Sequence, residues 1–132
     1  MFYKQSSISD QGPYPENQDS IGVAIHSDWS TACVADGVGG AEHGRDAAQL
    51  ATRIFINLLE KEINIPLNNV IETVNAEIFE TKLPGAITTF TGIIINGLEL
   101  QGVHAGDTRA YLLRRNGIKQ LTQDHTEFFR LC

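Results

Sequence analysis

An apolar run that ends in an acid, then glycines, then helix-forming sequence leaves this chain few ways to fold. Thr31 to Ala35 reads as a buried strand, and it delivers Asp36 onto the turn Asp36-Gly37-Val38-Gly39-Gly40. Helix-forming sequence follows from about His43. An unpaired carboxylate inside a buried strand is costly, whereas at the strand's end it faces solvent or a cation. Three glycines let the backbone bend closely around whatever sits there. Asp36 and the Gly37 carbonyl are therefore candidates to hold a hard divalent metal.

The sequence upstream supplies a second acid. Ile21, Val23 and Ile25 alternate with Gly22, Ala24 and His26, the pattern of a half-buried strand. Ser27-Asp28 turns the chain, and Trp29 to Ala35 returns as the next strand. In such a hairpin Asp19, at the start of one strand, and Asp36, at the end of the other, share one end. Two carboxylates there repel unless a cation or a proton lies between them. Before them, residues 2–9 are expected to form an opening strand, and Asp10 to Asn17, broken by Gly12, Pro13 and Pro15, a loop.

Downstream, Ala47, Leu50, Ala51, Ile54, Phe55, Leu58 and Leu59 form an apolar stripe at helical spacing, which predicts a helix over about 43–62. A second helix is expected from Pro66, taken as its first helical residue, with Leu67, Val70, Ile71, Val74 and Ile78 as the buried face. Leu83-Pro84-Gly85 ends it. A β meander follows: Thr88 to Ile95, Leu98 to Ala105, Thr108 to Arg115 and Ile118 to Leu121. Asn96-Gly97 and Asn116-Gly117 are hairpin turns, and Gly106-Asp107 joins the middle pair. Asp124, three residues before Glu127, resembles a capping-box helix start, with Phe128, Phe129 and Leu131 as its apolar face. That helix would have only about two turns, too few to support itself, so an interrupted chain is expected.

The 132 residues suit one domain, and 42% hydrophobic residues suit a folded one. A net charge of −6 without any Lys/Arg block argues against a nucleic-acid partner. No apolar run approaches a membrane span and the N-terminus lacks a signal-peptide pattern, so no membrane partner and a cytoplasmic location are expected. Cys33 lies within the buried strand and Cys132 ends the sequence, a spacing that suits neither a disulfide framework nor zinc. Gly37-Val38-Gly39 begins a dinucleotide fingerprint, but Glu42 takes the third glycine's place and the hairpins argue against a parallel sheet. None of His26, His43, His104 and His125 is placed for catalysis, and no Ser or Cys nucleophile is indicated.

Four motifs, in order, resemble the protein phosphatase 2C (PPM-type, metal-dependent) family in its bacterial branch. They are Asp10-Gln11-Gly12 with Asn17-Gln18-Asp19; Ala35 to Gly40; Thr88-Thr89-Phe90; and Gly106-Asp107-Thr108-Arg109-Ala110-Tyr111 followed by Leu121-Thr122-Gln123-Asp124-His125-Thr126. The resemblance implies an α+β fold, a β-sandwich flanked by helices (α-β-β-α), here incomplete at the C-terminal side: residues 1–132 as the N-terminal portion of one domain. It implies two Mn²⁺ or Mg²⁺ ions sharing a water that attacks phosphoserine or phosphothreonine of a phosphoprotein directly. Asp36 would bridge the ions, Gly37 would offer its carbonyl to one, Asp19 would hold the other, and Asp107 matches an acid of an additional, looser metal. The sequence also departs from the family. The Pro13-Tyr14-Pro15-Glu16 loop lacks the usual phosphate-holding arginine, for which Arg45 is a candidate substitute. Val38 stands where some members carry a histidine, and the family's later aspartates lie beyond residue 132. Two expectations follow: water in the vacant ligand positions, and self-association through the surface that absent elements would cover. The alternative reading is a catalytically impaired pseudophosphatase that binds a partner.

Overall fold

A computed structural model describes residues 2–39 and 41–125; of the capping-box helix expected after Asp124, all but its first two residues lie outside this range. The order of elements is β1 (Asp19–Ile25), β2 (Trp29–Asp36), α1 (Gly44–Lys61), α2 (Leu67–Glu80), β3 (Phe90–Asn96), β4 (Glu99–Ala105), β5 (Tyr111–Arg114) and β6 (Gly117–Gln120). Strands β1 to β4 form one antiparallel sheet in sequence order, and β5 pairs with β6 in a separate two-stranded ribbon. Helix α1 lies across β1, β2 and β3, while α2 packs on α1 and β4.

Period-2 alternation decides which side of each strand receives the helices. Cys33, Ala35, Phe90 and Ile94 point into the core with Ala48, Ala51, Phe55, Leu59, Val70 and Val74. Small residues in the sheet bring α1 close. A Cβ at Gly22 would lie 3.0 Å from Ile56 and 3.3 Å from the Thr52 carbonyl, both on α1, and one at Gly92 would lie 2.6 Å from the Phe55 ring. Phe55 is fully buried and meets Phe90 edge-on at 5.1 Å between centroids. Burying a side chain of this size contributes about 3 kcal/mol. Both Asn-Gly turns form, with Gly97 and Gly117 at φ of +60° and +139°.

The structure corrects three expectations. Residues 2–9 form no strand; the segment is tied on by the Gln5 side chain, whose amide donates to Ser30 Oγ at 2.6 Å and to the Thr31 carbonyl at 2.9 Å. Pro66 caps α2 with non-helical backbone (φ −57°, ψ 130°), so its carbonyl accepts from Asn69 and Val70 and the helix starts at Leu67. Residues 108–110 are not strand. Thr108 and Arg109 are held by side chains elsewhere, so the chain leaves the sheet after β4 and β5 begins at Tyr111. No helix among the described residues is long and apolar enough to cross a membrane.

Candidate metal centre

The hairpin register pairs Asp19 directly with Asp36 at the open end of β1 and β2. Beyond that pair the turn is fastened from both sides. Gly37 donates to the Gln18 carbonyl at 3.0 Å, and Val38 donates to the Ile87 carbonyl at 3.0 Å. The Gln18 side-chain amide, oriented so that its nitrogen faces carbonyl oxygens, donates to Val38 at 3.2 Å and to Gly37 at 3.3 Å. A carbonyl oxygen has two lone pairs, so Gly37 retains one for a further partner. Asn17 Oδ1 accepts from the Asp19 amide at 3.0 Å and orients the first acid.

Why glycine stands at position 37 is a matter of space. A Cβ there would fall 2.3 Å from the carbonyl carbon and oxygen of Gly44, at the start of α1. The strand end and the helix start are thus in backbone contact, which fixes where the Gly37 carbonyl lies. Beside it a cavity of about 700 Å³ opens, bounded by the 10–18 loop on one side and by Asp19, Asp36, Gly37, Gly39 and Glu42 on the other.

Asp107 stands on the turn after β4, outside the cavity lining but close enough to act on Asp36. The Asp36 carboxyl is pushed above its ordinary range, first by burial, then by the charge of Asp19 and a hydrogen bond with it, then by the charge of Asp107. Oxygen donors that repel one another in this way suit a hard cation, which removes the repulsion. Among the described residues no three His, Cys, Asp or Glu side chains converge into a ready cage. Asp19, Asp36 and the Gly37 carbonyl are oxygen donors of the kind a hard divalent ion takes.

Of the expected site residues, Asp19, Asp36 and Gly37 come together and Asp107 lies at their edge. Arg45 reaches the rim, where its Nη1 meets Glu16 Oε1 at 3.3 Å. Among the described residues no histidine lines the cavity. Gly39 lines it, and a Cβ placed on it would meet nothing within 4 Å; Gly40 lies outside the described residues. Sequence reasoning gave Thr89 no individual role. Its hydroxyl accepts from the Asp36 amide at 3.0 Å, its own amide donates to the Asp36 carbonyl at 2.9 Å, and its side chain lies where a Gly106 Cβ would be, 2.7 Å away. Thr89 thus joins the Asp36 turn to the Asp107 turn. Its sequence signal was the Thr88-Thr89-Phe90 motif, which did not say what the Thr89 side chain touches.

A sequence model of the family described as Protein phosphatase 2C matches residues 14–130. The chain belongs to that family. Its curated relatives include the serine/threonine phosphatase stp of Listeria welshimeri, 32% identical over 130 residues, a match covering 89% of this chain and 48% of the relative. The crystal structure of the Mycobacterium tuberculosis serine/threonine phosphatase PstP superposes with a TM-score of 0.72 at 32% identity, covering 89% of this chain and 52% of that one. A second PstP structure, of its catalytic domain in complex with two manganese ions, gives a TM-score of 0.68 at 29% identity, over 89% of this chain and 54% of that one. This phosphatase 2C chain therefore spans about half the length of these relatives.

Proposed function

We propose that residues 1–132 are the N-terminal portion of one PPM-type domain whose activity is metal-dependent hydrolysis of phosphoserine and phosphothreonine in proteins. The observation that carries this reading is the Asp19–Asp36 cross-strand pair, set against the Gly37 carbonyl at the wall of an open cavity. Asp19, Asp36, Gly37 and, more loosely, Asp107 would hold the ions, and Mn²⁺ and Mg²⁺ both accept such oxygen donors. When bound, the ions would supply a water of lowered pKa and offset charge on the phosphoryl oxygens. The chain's own residues do the positioning. The Gln18 amide and the Gly44 backbone fix the Gly37 carbonyl, Thr89 fixes the Asp36 backbone, and the 10–18 loop walls the cavity. Arg45 pairs with Glu16 of that wall, and a phosphate would have to draw it away from Glu16. The names of the relatives support a phosphoprotein substrate, and a cytoplasmic setting is part of the same proposal.

Turnover of an aryl phosphate and a phosphothreonine peptide, with and without Mn²⁺, tests this. Mn²⁺-dependent hydrolysis that Asp36→Asn abolishes supports the enzyme. Mn²⁺ binding without turnover leaves the pseudophosphatase, and neither binding nor turnover at millimolar Mn²⁺ sinks both metal readings.

The sheet face away from the helices supports self-association. Val23, Ile25, Val34 and Leu100 stand on it, 47%, 48%, 37% and 44% exposed. We propose that a second copy covers this face, because adjacent exposed apolar side chains favour an apolar partner. Light scattering across a concentration series should show a dimer; a monomer at high concentration refutes it.

A further inference from the structure

We propose that Arg109 and Asp124 form a positioning pair that sets the direction of the Asp107 carboxylate. The inference rests on the metal reading above and adds to it a pair of residues that touch no ion. The Gly106-Asp107 turn leaves the sheet with Gly106 at φ +102°, a conformation open to glycine. Three of the four residues of that turn are fastened. The Gly106 carbonyl accepts from the His125 amide at 2.7 Å. Thr108 Oγ1 lies 2.7 Å from Thr91 Oγ1, on β3. Arg109 grips Asp124 through two parallel contacts, Nε to Oδ1 at 2.9 Å and Nη2 to Oδ2 at 2.6 Å, and its Nη1 meets the Tyr111 hydroxyl at 3.3 Å.

Asp107 is the fourth. Among the described residues its carboxylate has no hydrogen-bond partner. Its direction is therefore set by the backbone on either side. On the downstream side that backbone is held by the segment 123–125, which is itself pinned where His104 Nε2 meets the Gln123 carbonyl at 3.0 Å. The ion pair closes the loop between the two segments. The Asp124 side chain is only 11% exposed, and the Arg109 hydrogen bonds hold its carboxyl below the usual range, so it stays charged. A bidentate guanidinium–carboxylate pair fixes direction as well as distance. A pair whose arginine is half in solvent contributes little to global stability, so its effect falls on local geometry.

The test is a cycle of Arg109→Gln, Asp107→Asn and the double variant, with two readouts besides activity: calorimetric Mn²⁺ titration, and exchange of the His125 amide. Arg109→Gln should weaken the loosest Mn²⁺ step about tenfold, as loss of a ligand-orienting partner does. It should speed His125 exchange and leave the tighter Mn²⁺ steps and the urea midpoint unchanged. In the Asp107→Asn background it should weaken Mn²⁺ binding no further. Arg109→Lys should resemble Arg109→Gln, since an ammonium keeps the charge without the fork. Equal losses in both backgrounds, or unchanged His125 exchange, overturn the inference while leaving the metal reading intact. A wild-type chain that binds no Mn²⁺ overturns both.

Discussion

Replacing Gly37 by alanine tests the close approach on which the metal centre rests. The new Cβ would sit 2.3 Å from the carbonyl carbon and oxygen of Gly44 and 2.9 Å from the Arg45 nitrogen. Ordinary contact begins near 3.4 Å, so the end of β2 and the start of α1 must separate by about 1.1 Å. Neither side is a flexible side chain that can swing away; both are backbone, one hydrogen-bonded to Gln18 and Ile87 and the other opening a buried helix. Overpacking of this kind costs about 3 kcal/mol, the upper part of its usual range. For a chain of this length that is roughly 10 °C in melting temperature. The same displacement moves the Gly37 carbonyl, so Mn²⁺ affinity should fall with it. Urea unfolding and Mn²⁺ titration measure the two effects. Gly39→Ala is the control, because a Cβ there meets nothing within 4 Å. If Gly37→Ala unfolds with the same midpoint as Gly39→Ala and binds Mn²⁺ as wild type does, the close-contact argument is wrong.

The Asp36 carboxyl is raised above its ordinary range by burial, then by Asp19 and Asp107. The folded state therefore keeps a proton that the unfolded chain has already lost. This contribution to stability is complete below the ordinary carboxyl range and is lost as pH rises through the folded value. Without metal, Asp36→Asn should thus be more stable than wild type near neutral pH, with a flatter pH profile, and saturating Mn²⁺ should reverse the order. Urea midpoints that rank the same way with EDTA and with Mn²⁺ would contradict this. Phe55→Ala removes a fully buried ring that touches Phe90 and Gly92, and should cost about 4 kcal/mol in chemical denaturation. Burial pushes the Cys33 thiol up to about 12. In a Cys132→Ser background, iodoacetamide should leave Cys33 unmodified in the native state at mildly alkaline pH and label it promptly in urea.

What was legible in the sequence was what local spacing determines. Alternation in Ile21, Val23 and Ile25, with the Ser27-Asp28 turn, was enough to bring Asp19 and Asp36 together, because a hairpin register follows from its turn. The α1 stripe at Ala47, Ala51, Phe55 and Leu59 likewise announced its buried face. What was not legible depends on partners far along the chain. Alternation does not say which sheet a strand joins, so the departure of β5 from β4 was hidden. Thr89 serves Asp36 across 53 positions, a distance at which periodicity carries no information. Residues 2–9 have strand-like letters without a ladder partner for their backbone, and the Gln5 side chain does the attaching instead.

The sheet order β1-β2-β3-β4 also sets an order of assembly. β1 and β2 close through a short turn, whereas β2 meets β3 only after the chain between Asp36 and Phe90, which holds both helices, has been gathered in. The entropy of closing a loop grows with its length, so the hairpin is the early event and the β2–β3 seam the late one. The two facing acids are thus set side by side while the rest of the molecule is still coming together, and their mutual repulsion weighs on the nascent hairpin as well as on the finished sheet. A divalent ion present during refolding should therefore speed refolding, not only steady the end state.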